Sequence, residues 1–371
     1  MKSGAFITDS LLEAWRKISP LSGTKDYETE IIATTPDISN IQEATVVISF
    51  DLDALSDGKG GKKHACGHST NTEAGLEVAQ MIMKHGIKKV ALIFQPAEEG
   101  PGNKIDGYVH PSWYDGGLYL RKKWIYNEMN ALIACHVDPS LQETQVRITP
   151  WVATAAGYRR ELKAKGDETH AALPFHWRNP IRTIEDFLQA RRIFNEKYIN
   201  ERTGEKVERM DDNYGLISIP EIQTEPGELN SIRSRATAVG ICRVSGELAL
   251  QEIQKVMHKF QATLTLEAPP ITNDEYLVKI GREVAVENNY SVVSKKVDFL
   301  TGASRSPVVK LPRADPEKYP WGSKKSLQFF TPGGKNCWDL HGKNFRNTEE
   351  GAKHQITMLF GIVEKLSKEA K

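Results

Sequence analysis

Three short apolar runs punctuate the first 140 residues, at 45–50, 89–94 and 130–134. None alternates cleanly between apolar and polar positions, the pattern of strands covered on both faces. Between the first two, Ala74, Val78, Ala79, Ile82 and Met83 recur at helical spacing over 71–84. Strand, helix, strand in this order predicts a right-handed parallel unit. Leu11, Leu12, Trp15 and Ile18 predict an amphipathic helix near the start. From 155 to 268 the pattern changes: strand 159–165, helix 181–198, strands 215–221 and 235–244, helix 248–260, strand 262–267. That β-α-β-β-α-β order predicts a ferredoxin-like α+β domain. A helix over 274–288, a strand over 327–330 and a closing amphipathic helix over 349–368 return the chain to the first domain. Pro307, Pro312, Pro316 and Pro320 predict a loop-rich stretch over 299–324. The expected architecture is α/β: a mostly parallel sheet domain of residues 1–154 and 269–371, interrupted by an inserted domain of residues 155–268.

Composition narrows the function classes. The 371 residues carry a net charge of +1, with 39% hydrophobic and 26% charged residues. These values fit a globular chain. The balanced charge argues against a nucleic-acid or membrane-surface protein, which carries a basic excess. No run reaches the roughly 18 apolar residues of a membrane span. Residues 1–20 carry Asp9, Glu13, Arg16 and Lys17 without an apolar block, so no secretory signal is expected. Cys66, Cys135, Cys242 and Cys337 are far apart and form no CxxC pair. A reducing, cytoplasmic setting is therefore expected.

Each early strand runs into polar residues at its C-terminal end. The first leads to Asp51 and Asp53, the second to Gln95-Pro96-Ala97-Glu98-Glu99, the third to Cys135-His136-Val137-Asp138. Ligands of open α/β sheets bind beyond the carboxyl ends of strands, so chemistry is expected along this edge. Cys66 and His68, two residues apart before a helix, offer a thiolate and an imidazole to one metal ion. Taken alone they fit a small buried cysteine beside a capping histidine better than a metal pair, and the helix start could also activate the thiol. Glu98-Glu99, by default a solvated pair, gain meaning from their place after a buried strand. If one binds metal, the other can serve as a base toward metal-activated water. His136 at a strand end and His341 in Asp339-Leu340-His341-Gly342 complete a set of soft and borderline donors. Thiolate and imidazole favour late first-row metals over magnesium or calcium.

The runs His64-Ala65-Cys66-Gly67-His68, Phe94-Gln95-Pro96-Ala97-Glu98-Glu99, His136-Val137 and Leu340-His341 resemble the metallo-amidohydrolases. That family includes hippurate hydrolases, aminoacylases and indole-acetyl-amino-acid hydrolases, relatives of the glutamate carboxypeptidases. The likeness spans nearly the whole chain. It implies a two-metal catalytic domain, an inserted lid domain that mediates homodimerisation, and hydrolysis of an N-acyl amino acid amide. By position it implies Cys66, His68, Glu99, His136 and His341 as metal ligands and Glu98 as general base. It implies Asp53 as the aspartate that steadies the site, and His170 as a lid histidine that polarises the scissile carbonyl. Asn230 and Arg243 are implied as lid residues that hold substrate oxygens or the substrate carboxylate. Zinc is the first expectation for the two divalent ions, with manganese, cobalt and nickel as alternatives. The expected partner is a small acylated amino acid or dipeptide.

Three departures stand out, one of them that the family's usual Ser-x-Asp-Phe segment near the C-terminus is not evident around Thr301-Gly302-Ala303-Ser304-Arg305. Where the family pattern continues with Asp and, two further, His, this chain has Ser69 and Asn71. The aromatic-rich stretch 100–130 is also longer than the family's usual spacer. Three rivals follow: a dipeptidase of the same fold, a non-catalytic metal- or ligand-binding homologue, and a thiol enzyme built on Cys66 and His68.

Overall fold

A computed structural model describes residues 25–27, 30–51, 55–56, 62–63, 68–95, 131–138, 140–149, 152–154, 156–172, 178–199, 215–228, 230–244, 246–268, 271–294, 325–333 and 349–369. The chain divides into two compact units. One holds the described residues up to 153 and from 271 onward, and the other those from 154 to 268. Among the described residues no helix is long and apolar enough to cross a membrane.

The first unit is built on strands β1 (Lys25–Tyr27), β2 (Glu30–Thr34), β3 (Val46–Asp51), β4 (Leu55–Ser56), β5 (Lys62–Lys63), β6 (Val90–Gln95), β7 (Ala131–Asp138), β8 (Gln145–Arg147) and β9 (Val152–Thr154). Helix α1 (His68–Lys84) links β5 to β6. After the second unit the chain returns through β16 (Ile271–Thr272), α4 (Glu275–Glu287), β17 (Ser291–Val293), β18 (Ser326–Pro332) and α5 (Glu349–Glu369). Eight strands form one sheet in the order β1-β2-β6-β3-β7-β18-β8-β17. The central run β6-β3-β7-β18 is parallel throughout. β2 joins β6 antiparallel, β1 joins β2 antiparallel, and β8 joins β18 antiparallel. The sheet is thus mixed, where a mostly parallel one was expected. The short edge strands carry too few apolar residues to announce themselves by pattern.

Two apolar layers explain why the central strands read as continuous runs. On one face Ile48, Phe50, Leu92, Phe94, Ile133, Cys135, Leu327 and Phe329 share a cluster with Val78 and Ile82 of α1, Val284 of α4 and Leu359 and Ile362 of α5. On the other, Val47, Ala91, Ile93 and Leu132 pack with Ile38 and Ile41. Phe50 and Phe94 stack with centroids 5.2 Å apart. Helix α1 crosses them at Gly75, where a Cβ would lie 2.9 Å from Phe94 and 3.0 Å from Phe50. The returning chain is fastened by Asn273. Its Nδ2 donates to the carbonyls of Thr149 (2.8 Å) and Gln328 (2.9 Å), and its Oδ1 accepts from the Gln328 amide (2.7 Å). Asp274 then caps α4 by accepting from the Tyr276 and Leu277 amides.

The second unit comprises β10 (Ala156–Lys165), β11 (Thr169–His170), α2 (Pro180–Asn195), β12 (Gly215–Thr224), β13 (Ser231–Ile232), β14 (Arg235–Val244), α3 (Glu247–Lys259) and β15 (Thr263–Ala268). Its antiparallel sheet runs β12-β14-β10-β15, with each adjacent pair antiparallel. Counting its four sheet strands in chain order, that is 2-3-1-4, the arrangement of two interlocked split β-α-β units. Asn179 caps α2 through the Ile181 amide, with Pro180 at its first position. The helix stops at 195, short of the expected 198. Asn195 turns its amide onto the backbone of Ile217 instead, with both bonds at 2.9 Å.

Inside this unit Arg160 is fully buried among apolar neighbours. Its Nη2 donates to the Ser218 carbonyl at 3.2 Å, and its guanidinium lies 4.8 Å from the Phe187 ring centre. Among the described residues its Nε and Nη1 have no hydrogen-bond partner. Gly240 stands opposite it on β14, where a Cβ would lie 2.6 Å from Nη2 and 2.0 Å from the Ser218 oxygen. Burial pushes the nearby Cys242 thiol up to about 12, so it supplies no countercharge at neutral pH.

The predicted helix near Leu11 to Ile18, the aromatic stretch 100–130 and the proline-rich 299–324 lie outside the described residues.

Candidate active site

β3 has β6 on one side and β7 on the other. The chain leaves β3 for β6 through α1 and then returns to the opposite side as β7. The strand order therefore reverses direction beside β3, and such a switch point opens a crevice at the carboxyl ends of the strands. Parallel pairing brings the ends of β3, β6, β7 and β18 to one edge: Asp51 pairs with Gln95, and Asp138 with Pro332. The segments carrying the other expected ligands continue in sequence from these ends. Asp53, Cys66, Glu98, Glu99 and His341 lie outside the described residues. His68 is described as the first residue of α1, without its side chain.

His136 occupies the sixth position of β7 and is 3% exposed. Alternation along the strand separates it from its neighbour. Cys135 belongs to the helix-side cluster, where burial raises its thiol pKa and its Sγ lies 3.7 Å from Thr331 Oγ1. His136 points to the opposite face. Its Nδ1 lies 2.8 Å from the Val137 carbonyl oxygen. A carbonyl only accepts, so Nδ1 carries a proton, and in the neutral ring the lone pair lies on Nε2, a tautomer suited to binding a metal ion. The Phe330 ring, paired with His136 across β7 and β18, meets it edge to face at 6.2 Å.

Asp138 and Arg147 were not singled out from the sequence as a pair. Asp138 is fully buried, and its carboxylate accepts from Arg147 Nε at 2.7 Å. The residue spacing alone carried no signal for this contact, because β8 reaches Asp138 only through the turn at 140–144. Among the described residues no three His, Cys, Asp or Glu side chains converge as a metal cluster. His136 is buried, with Nδ1 held against a backbone carbonyl.

In the second unit His170 pairs with Ser231 on the short β11–β13 ladder, and the Ala171 amide donates to the Asn230 carbonyl at 2.7 Å. The structure therefore brings His170 and Asn230 together. His170 is exposed, and its Nδ1 accepts from the Ala172 amide at 3.1 Å. Its neutral form consequently carries the proton on Nε2, ready to donate. Arg243 is placed differently. It pairs with Gly157 and Leu216 at the far end of β14, whereas Arg235, next to the Asn230 turn, begins that strand. Eight residues of strand at about 3.3 Å each separate the two ends by roughly 26 Å. Within one chain, Asn230 thus lies near the start of β14 and Arg243 near its far end.

A sequence profile of Peptidase family M20/M25/M40 matches residues 47–334, spanning both units. The chain belongs to this family. The M20 match bears out the metallo-amidohydrolase resemblance. The chain is 32% identical over 126 residues to an IAA-amino acid hydrolase ILR1-like 4 of Arabidopsis thaliana, covering 33% of this chain and 25% of that protein. It is 24% identical over 313 residues to the N-acetyl-L-cysteine deacetylase of Bacillus subtilis, covering 78% and 68%. The match to the plant protein thus spans about a quarter of that relative. These M20 homologues are hydrolases of carbon–nitrogen bonds. The fold is shared with the Bacillus subtilis YxeP protein, described as a dinuclear metal binding peptidase of the M20 family. Its TM-score is 0.66 at 17% identity, over 97% of this chain and 92% of that one. A hydantoinase/carbamoylase family amidase from Burkholderia vietnamiensis gives 0.63 at 15%, over 97% and 89%.

Proposed function

We propose that this M20 protein hydrolyses the amide bond of an N-acyl amino acid or a related small amide, using two divalent metal ions. The observation that carries the reading is His136: a buried imidazole with Nε2 as its lone-pair nitrogen, at the switch point of a sheet whose strand ends feed the family's ligand motifs. Cys66, His68, Glu99 and His341 join it as ligands, with zinc the first assignment. Bound ions would polarise the scissile carbonyl and acidify the attacking water.

The protein's own groups do the rest. Glu98 takes a proton from the attacking water and passes it to the leaving amine. His170, protonated on Nε2, donates to the carbonyl oxygen as negative charge builds there. Asp53 steadies the ligand set. Arg243 or Asn230, but not both from one chain, holds the substrate carboxylate through charge-assisted or amide hydrogen bonds. The inserted unit serves as lid and as the contact between two copies of the chain, in the cytoplasm.

The test is amine release from a panel of N-acyl amino acids and free dipeptides by metal-reconstituted protein, with a chelated control. Chelator-sensitive release from the acylated members supports the proposal, and release from free dipeptides alone would make the chain a dipeptidase. Glu98→Ala is expected to lower kcat by about 10²–10⁴-fold with metal retained. Undiminished turnover in that variant would sink the assignment of the base. Ser69 and Asn71 favour a second reading, a metal- or ligand-binding homologue without turnover. It would show as full metal content and no release across the panel.

A further inference from the structure

His136 and Asp138 lie two residues apart on β7, so their side chains leave the same face of the sheet. The Asp138 carboxylate is fully engaged on both oxygens. Oδ2 accepts from Arg147 Nε at 2.7 Å, and Oδ1 accepts from the Ser140 amide at 2.8 Å and the Ser140 hydroxyl at 2.6 Å. Arg147 Nη2 donates to Ser140 Oγ at 3.0 Å, closing a ring of contacts. Asp138 is 0% and Arg147 4% exposed. Phe330 pairs with Arg147 on one neighbouring strand and with His136 on the other. A buried ion pair is a poor device for stability, because desolvation consumes most of the attraction. Its position beside His136 offers a better reason for it.

We propose that Asp138 and Arg147 form an electroneutral positioning clamp for His136. The inference rests on reading His136 as a metal ligand. Left alone, the carboxylate would place a negative charge and a hard oxygen donor beside the ions. Left alone, the guanidinium would place a positive charge there. Together they hold the end of β7 and add no net charge in a low-dielectric setting where charges act strongly. A structural pair and a charge-balancing pair therefore predict different things. Loss of either half of a structural pair weakens metal binding in the same direction. Loss of the halves of a balanced pair moves it in opposite directions.

The experiment titrates zinc and manganese into chelator-stripped full-length protein against a chromogenic competitor. Asp138→Asn is expected to weaken both ions by about tenfold or more, the scale seen when groups supporting a ligand are changed. Arg147→Met is expected to bind at least as tightly as the unaltered protein. It should gain more for manganese than for zinc, because the freed carboxylate is an oxygen donor. The double variant D138N/R147M and the charge-keeping R147K are expected to stay within about threefold of the unaltered protein. Weakening of both single variants alike, or no change in either, would overturn the clamp. If a single variant does not fold, the double variant and R147K decide. A fall beyond about tenfold in either, at unchanged Tm, refutes it. His136→Ala separates the two levels of argument. Undiminished metal binding there removes the site reading itself, whereas lost binding there with parallel shifts in the single variants removes only the clamp.

Discussion

Arg160→Met tests whether the second unit carries an uncompensated charge in its core. Among the described residues the guanidinium is fully buried, with one hydrogen bond and one aromatic face against it and two nitrogens without partners. Burial pulls its pKa down from 12.5 to about 10, with the neighbouring Arg191 adding to the fall. Each unit of pKa is worth about 1.4 kcal/mol, so holding the charge there costs about 3 kcal/mol relative to water. Methionine keeps most of the aliphatic volume and carries no charge. It leaves the Ser218 carbonyl without its donor, a loss of about 1–2 kcal/mol. The difference is a net stabilisation of about 1–2 kcal/mol, of the sign found when buried ionic groups give way to apolar ones. Differential scanning calorimetry and urea unfolding of the full chain would report it as a Tm rise of a few degrees. A destabilisation of 2 kcal/mol or more would refute the reasoning. It would mean that the guanidinium is compensated in solution by something its neighbours in the structure do not supply.

Two further outcomes follow from packing and protonation. Gly75→Val drives a branched side chain into the stacked Phe50–Phe94 pair, 2.9 Å from the nearest ring atom before any γ-carbon is added. Overpacking should cost about 1–3 kcal/mol, less the helix propensity regained over glycine, and an unchanged urea midpoint would contradict the close approach of α1. His354 on α5 accepts from or donates to the Tyr290 hydroxyl at 2.7 Å, and among the described residues its buried Nε2 has no partner. Burial holds its pKa below the ordinary 6.5, against the opposing pull of Glu350 and Glu143. The unfolded chain therefore takes up the proton first. The stability contributed by neutral His354 is complete above about pH 6.5 and is lost as pH falls toward and through the lowered folded value. The Tm of His354→Asn should show a shallower decline than the unaltered protein below pH 6.5, and identical slopes would dismiss the effect.

The element pattern was legible where many residues repeat one message. The apolar runs that became β3, β6 and β18, the face of α1, and the β-α-β-β-α-β order of the second unit all follow from hydrophobic spacing, which is local. The short outer strands β1, β2, β8 and β17 were not legible. A strand of three to five residues with polar members is specified by its neighbour's unpaired backbone groups rather than by its own sequence. The end of α2 was missed for a related reason. Asn195 ends the helix because Ile217, 22 residues on, offers its backbone.

By itself the sequence determined the kind of chemistry. Its thiol, imidazole and adjacent carboxylates follow strand-like runs in an order that resembles one family, and the M20 match agrees. Only the folded conformation set which ring nitrogen of His136 meets the Val137 carbonyl and which of His170 meets the Ala172 amide. Only it paired Asp138 with Arg147, and only it set Arg243 a strand's length from Asn230. Hydrogen-bond partners and distances across a sheet depend on which strands lie side by side. That is a property of the folded whole, which hydrophobic spacing along the chain does not encode.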